Sequence, residues 1–197
     1  MRFLYIPLIA AMFFSACSKQ PLNINNNGRD IIAFGDSLTY GYGAQPEESY
    51  PAVLAAMLGR NVINAGISGN TAQDGLNRIE ELDEYSPYMV LIEFGANDYM
   101  RKRPFEQTTQ ALTQITDYVQ QRGAVAVIID TGGPGMGKYS KFMKQLAKDK
   151  NAIYVPPILK GIFTKPDLKS DMIHPNAKGY ALIAQKIHKY IKPYLEQ

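Results

Sequence analysis

Ile31-Ile32-Ala33-Phe34-Gly35-Asp36-Ser37-Leu38 is the stretch on which the reading of this chain turns. Its first four residues are apolar without polar alternation, the pattern of a strand covered on both faces of a parallel sheet, and a glycine closes it. Four more runs share this character: Val62 to Ala65, Met89 to Phe94, Ala124 to Ile129 and Ala152 to Val155. Helical patterns fill the intervals. Ser49 and Tyr50 before Pro51 signal a helix running toward Gly59, and a second is predicted from near Thr71 with Leu76, Ile79 and Leu82 on one face. The third is the most regular, with Pro104 in its first turn, Phe105, Thr108, Leu112, Ile115 and Val119 at helical spacing, and Gly123 as the stop. A fourth covers Tyr139 to Lys150. The last starts at Pro175, aligns Tyr180, Ile183, Ile187 and Ile191, and ends before Pro193. Strand and helix alternate throughout, which predicts an α/β fold: a three-layer α/β/α sandwich around a five-stranded parallel sheet.

Residues 30–197 hold all of these elements without an internal repeat or second linker, enough chain for one domain that buries roughly 70% of its unfolded surface. Composition narrows the chemistry. With one Cys and two His among 197 residues, the chain has no internal disulfide, no C-x-x-C zinc site and no H-E-x-x-H motif. Twenty-one basic and 18 acidic residues, without a basic block, give a charge of +3, too mild to argue for nucleic acid as a partner.

The N-terminus reads as an address. Arg2 precedes the apolar run Phe3 to Phe14, which is too short to span a bilayer as a mature helix and fits a secretory signal peptide over residues 1–16. Phe14-Ser15-Ala16-Cys17 resembles a bacterial lipobox, in which the Cys is acylated and becomes the new N-terminus. Cys17 is therefore the expected lipid anchor, and residues 17–29, rich in Asn, the expected tether ahead of a folded part starting near Asp30. The expected location is the cell envelope, lipid-anchored to a bacterial membrane, in particular the outer membrane. Cleavage by an ordinary signal peptidase would instead leave a periplasmic protein.

In a parallel sheet, ligands bind outside the carboxyl ends of the strands. The segments that follow the runs there are Gly35-Asp36-Ser37-Leu38, Gly66-Ile67-Ser68-Gly69-Asn70, Gly95-Ala96-Asn97-Asp98 and, after a longer connection, Asp171-Met172-Ile173-His174-Pro175. Together they hold a hydroxyl, an imidazole, a carboxylate three residues before it, and hydrogen-bond donors. That is the inventory of a nucleophile, base, orienting acid and oxyanion hole.

These four segments, in this order, resemble the four blocks of the SGNH (GDSL) hydrolase family of lipases, esterases, thioesterases and lysophospholipases. The resemblance extends from Ile31 to the C-terminal helix and implies a flavodoxin-like sheet, the SGNH hydrolase fold. Asn70 stands where relatives often carry Asp, and Ala96 where they often carry Gly. The resemblance implies Ser37 as nucleophile, His174 as base and Asp171 as its orienting acid, a triad whose chemistry suits these residue types. It also places the backbone N–H groups of Ser37 and Gly69 and the side-chain amide of Asn97 around the oxyanion. Asp36 and Asp98 are expected to brace their turns, and His188 to be a surface group on the last helix. The implied activity is hydrolysis of small-molecule acyl esters or thioesters, such as aryl esters, acyl-CoA or lysophospholipids, by a monomer with neither metal nor organic cofactor.

Other readings meet the same residues. Gly132 to Lys138 approaches the phosphate-binding pattern G-x-x-x-x-G-K-[ST], but Tyr139 replaces the hydroxyl, Pro134 removes one cradle N–H, and the loop follows the fourth strand. Ser68 is a rival nucleophile. An O-acetyl esterase acting on carbohydrate or peptidoglycan and a non-catalytic surface lipoprotein are the alternative functions. The glycine-rich lip and the segment Pro156 to Ser170, with Ile158, Leu159, Ile162 and Phe163 among Lys160, Lys165 and Lys169, are expected to form one wall of an acyl groove or, equally, a core-facing stripe with solvated lysines.

Overall fold

In the computed structural model, which describes residues 20–195, the five apolar runs become strands: β1 (Asp30–Gly35), β2 (Val62–Gly66), β3 (Pro87–Glu93), β4 (Val125–Ile129) and β5 (Ile153–Val155). All pair in parallel, in the order β2-β1-β3-β4-β5. Among the described residues, seven helices connect and flank them: α1 (Ser37–Tyr40), α2 (Tyr50–Leu58), α3 (Ala72–Asn77), α4 (Ala96–Met100), α5 (Phe105–Gln121), α6 (Gly137–Asp149) and α7 (Ala177–Ile191).

Alternate residues of each strand feed two separate cores, which is why the runs carry no polar alternation. Ile31 and Ala33 meet Leu54 of α2 and Tyr180, Ile183 and Ile187 of α7 on one face. Ile32 and Phe34 meet Leu112 and Ile115 of α5 and Met143 and Leu146 of α6 on the other. Each Ile, Leu, Phe or Met among them contributes about 2 kcal/mol on burial. The strand order reverses between β1 and β3, and in sheets of this order the crevice at that point is the ligand site.

Three sequence expectations change. The helix expected from Thr71 breaks at Arg78 (φ −114°, ψ 17°), and a 3-10 segment over Ile79–Glu84 follows. The Arg78 guanidinium donates to Asn70 Oδ1, Gly35 O and Ala65 O, so tertiary partners fix this residue outside the helix. Three residues per turn still carry Ile79 and Leu82 to the core. Helix α7 starts at Ala177 rather than Pro175, because the Asn176 side chain accepts the Gly179 N–H as an N-cap.

The third change concerns the tether. Residues 20–29 form a strap packed under the amino ends of the strands, so the folded part already includes residues ahead of Asp30. Pro21 is buried, and Leu22 N–H donates to Asn151 O ahead of β5. The Asn23 amide donates to Gln120 O and Ala124 O, and the Asn26 amide to Tyr88 O. The asparagines that read as linker composition are bonded to backbone carbonyls of the folded domain. Cys17 and the expected signal peptide lie outside the described residues.

Candidate active site

Ser37 ends up at the carboxyl edge of β1 because the chain turns there into α1, with Asp36 as the cap. The Asp36 side chain accepts the Leu38 N–H at 3.0 Å, and Ser37, as the first helical residue, has no intrahelical acceptor for its own N–H. His174 arrives from the loop before α7. That loop is closed by pairing of Lys169 with Pro175 and by the Ser170 N–H donating to His174 O. Imidazole Nε2 lies 3.1 Å from Ser37 Oγ, and Nδ1 lies 2.8 Å from Asp171 Oδ2. The other carboxylate oxygen, Asp171 Oδ1, accepts the N–H groups of Ile173 and His174, each at 2.8 Å. Slight burial pushes the Asp171 carboxyl up, but the hydrogen bonds from His174 and Ile173 outweigh it and hold the acid at about 2. An ionised carboxylate is therefore fixed against the imidazole, which suits it to keep Nδ1 protonated and Nε2 free to accept a proton from Ser37.

The expected donors are brought to the same place in different states of readiness. Gly69 occupies a turn at φ +84°, a conformation that favours glycine, and Arg101 donates to its carbonyl at 2.8 Å. Asn97 lines the cavity that holds Ser37 and His174, yet its amide donates to Asp36 Oδ2 at 2.9 Å and to Asn70 O at 3.0 Å. Service to an oxyanion requires Asn97 to share or exchange one of these bonds. Ser68 is exposed, and the hydroxyl that the imidazole meets is that of Ser37. Asp98 accepts the Ala72 N–H and the Thr108 hydroxyl and so braces α3 and α5. His188 sits in the last turn of α7, outside the site.

Two residues beside the site had not been singled out from the sequence. Glu93, at the end of β3, is fully buried and accepts hydrogen bonds from the Thr131 and Thr39 hydroxyls at 2.8 and 3.1 Å. Burial and the neighbouring Glu93 charge push the Asp36 carboxyl well up, and burial pushes Glu93 up as well, with a direct hydrogen bond between the two side chains. Two carboxyls whose protonation is favoured by burial thus lie side by side next to Ser37 and Asn97. Glu93 was visible as a lone acid inside an apolar run, whereas its pairing with Asp36 was not. Tyr42 is the second, its ring centroid 4.5 Å from that of His174, covering the imidazole.

A cavity of about 200 Å³ opens beside Ser37, walled by Tyr99, Met100, Gly132 to Pro134, Met136, Leu159 and Phe163. The lip and the 156–170 segment therefore do supply a wall. Only part of the segment does so, because Ile158 and Ile162 turn into the core.

Comparison with known proteins agrees with this fold. The chain is 32% identical over 173 residues to the thioesterase 1/protease 1/lysophospholipase L1 of Escherichia coli (strain K12), covering 83% of each chain. It is 33% identical over 178 residues to the arylesterase of Vibrio mimicus, covering 84% of this chain and 89% of that protein. Among solved structures, the psychrotrophic esterase EstA from Pseudoalteromonas sp. matches with a TM-score of 0.75 at 31% identity, over 86% of this chain and all of that one. Residues 33–182 match the model of the GDSL-like lipase/acylhydrolase family, and the chain belongs to that family of SGNH-fold hydrolases.

Proposed function

We propose that the protein is a serine esterase that hydrolyses acyl esters and thioesters through Ser37, His174 and Asp171. The observation that carries this is the unbroken hydrogen-bond relay from Ser37 Oγ through the imidazole to an ionised Asp171. Ser37 Oγ attacks the acyl carbon as His174 Nε2 takes its proton, and the N–H groups of Ser37 and Gly69 with the Asn97 amide receive the oxyanion. Collapse transfers the proton from His174 to the departing alcohol or thiol and leaves an acyl-enzyme. Water then attacks, His174 again accepts the proton, and the carboxylic acid leaves with the proton returned to Ser37. No step calls for a metal or an organic cofactor.

The apolar cavity beside Ser37 favours acyl groups longer than acetyl, and the named activities of the Escherichia coli and Vibrio mimicus relatives point to thioesters, lysophospholipids and aryl esters as substrates to try. A panel of p-nitrophenyl esters, acyl-CoA and lysophospholipid against wild type and Ser37→Ala tests this. Turnover that rises with acyl length and vanishes in Ser37→Ala is expected. A preference for acetyl would replace this reading with an O-acetyl esterase, and absence of labelling at Ser37 by a fluorophosphonate would replace it with a binding protein.

The protein is further proposed to be a monomer held in the cell envelope by a lipid on Cys17. The strap supports a definite orientation. Three residues separate Cys17 from Pro21, a reach of roughly 14 Å at most, and Pro21 is seated under the amino ends of the strands. An anchor there holds the amino pole toward its membrane and turns the mouth of the site away from it. Metabolic labelling with a radioactive fatty acid, compared with Cys17→Ser, tests the lipid.

A further inference from the structure

Among the described residues, eleven large apolar side chains are exposed, and seven of them stand on four short segments around the mouth of the site. Tyr40 and Tyr42 end and follow α1, Ile67 follows β2, and Tyr99 and Met100 close α4. Met172 and Ile173 lie between Asp171 and His174. Met172 is 84% exposed and Tyr40 56%, and neither side chain is part of the relay. A soluble substrate has no need of such a collar, and an apolar patch concentrated around a catalytic mouth marks a surface that meets something apolar.

Its charge says what kind. Arg101, Lys102 and Arg103 are consecutive and exposed on the same rim, where Arg101 reaches the Gly69 carbonyl. None of the three enters an ion pair among the described residues, and of the nearby carboxylates Asp74 feels both arginines. Lys169 Nζ, beside Met172, donates to the Met172 carbonyl. Tyrosines and methionines next to exposed arginine and lysine suit the boundary of a lipid layer, where rings and thioethers sit at headgroup depth and cations meet phosphates. A second copy of the chain fits worse, because a twofold contact through the collar brings each basic run toward its own image.

We propose that this rim docks on an anionic phospholipid bilayer and presents Ser37 to acyl esters at that surface. The proposal rests on the esterase reading of the same site. Because Pro21 lies at the opposite pole, the bilayer met by the rim is not the patch that would hold an anchor at Cys17.

The test uses the full chain with Cys17→Ser and Met172→Cys, carrying an environment-sensitive fluorophore at position 172, and the same probe at Met57→Cys, an exposed site on α2. Vesicles of phosphatidylcholine with phosphatidylglycerol are expected to blue-shift the probe at 172 and not at 57. Vesicles of phosphatidylcholine alone should do so far less. Each Lys or Arg near an anionic bilayer contributes about fivefold in partitioning, so Lys102→Gln with Arg103→Gln should weaken the response about 25-fold. Tyr40→Cys serves as a second probe position. Equal shifts at 172 and 57, no preference for anionic vesicles, no effect of the charge substitutions, or a collar-dependent dimer in sedimentation would each overturn docking. Hydrolysis of dissolved p-nitrophenyl butyrate by the Lys102→Gln, Arg103→Gln protein is expected at the wild-type rate. That measurement tests the esterase reading separately: vesicle docking without turnover would sink the esterase alone, and turnover without docking would sink the docking alone.

Discussion

Replacing Glu93 by Gln probes the buried carboxyl pair beneath the site. In the folded protein Asp36 and Glu93 are fully buried and in contact, and both carboxyls are pushed up. In the unfolded chain both ionise near their ordinary values of about 3.9 and 4.3. A carboxyl raised on folding contributes stability that is complete below its unfolded value and is lost as pH rises through its folded value. As pH rises above the unfolded values the folded pair therefore binds more protons than the unfolded chain, and stability should fall with rising pH, by at most about 1.4 kcal/mol per pH unit for each proton retained. Asp171 and Asp74, both lowered, are ionised in both states over this range and add no slope. The Glu93→Gln substitution keeps the shape, removes the second charge and offers Asp36 a third donor beside the Leu38 N–H and the Asn97 amide. Asp36 then keeps its burial but loses the neighbouring charge that adds to it, and the slope should shrink. Urea denaturation of wild type and Glu93→Gln at pH 5, 6 and 7 reads this directly, with m-values showing whether the transition stays two-state. Parallel slopes in the two proteins would show that no proton is shared there, or that burial of Asp36 alone retains it, and would refute the role given to Glu93.

Four further outcomes are expected. Ser37→Ala and His174→Ala should each remove nearly all ester turnover while leaving thermal unfolding close to wild type, and His188→Ala should leave turnover unchanged in the same p-nitrophenyl assay. Asn97→Ala should lower turnover by about 10² to 10³ and KM little, because an oxyanion donor acts in the transition state. It should also lower the melting temperature, since Asp36 loses a partner. Asp171→Asn should reduce kcat by orders of magnitude without disturbing the fold, because a neutral amide no longer stabilises the imidazolium. Dialysis against EDTA should leave turnover intact, given that the relay and the donors meet every proton and charge requirement of the proposed steps.

The strands were legible because their positions are decided locally, by apolar residues on both faces. The long helices were legible by period, and α5 and α7 bear it out to within two residues at each end. Helices α1 and α4, of four and five residues, are too short to show a period, and they carry Ser37 and Asn97. The break at Arg78 was hidden because its cause lies in the Gly35 and Ala65 carbonyls, at the ends of two other elements. Composition misled at the strap, since an Asn-rich stretch reads as linker until the backbone carbonyls that receive its amides are known. The site residues could be gathered from the segments after the strands, but not their bonding. That Asn97 is held by Asp36, and Asp36 in turn by Glu93, depends on three side chains meeting at the reversal of strand order.

That meeting gives the buried carboxyls a consequence for the chemistry above them. The Asn97 amide is aimed by two acceptors, Asp36 Oδ2 and Asn70 O, and the second belongs to the turn that also carries the Gly69 N–H. Arg78 holds the same turn from the other side, through Asn70 Oδ1 and the carbonyls that end β1 and β2. Two of the three proposed oxyanion donors are therefore tied to one another and to the sheet by side chains that never touch substrate. A rigid set of donors at the point where charge develops is what lets such bonds act without reorganising. The neutral Asn70 accepts from Arg78 without adding a second negative charge next to the proposed oxyanion.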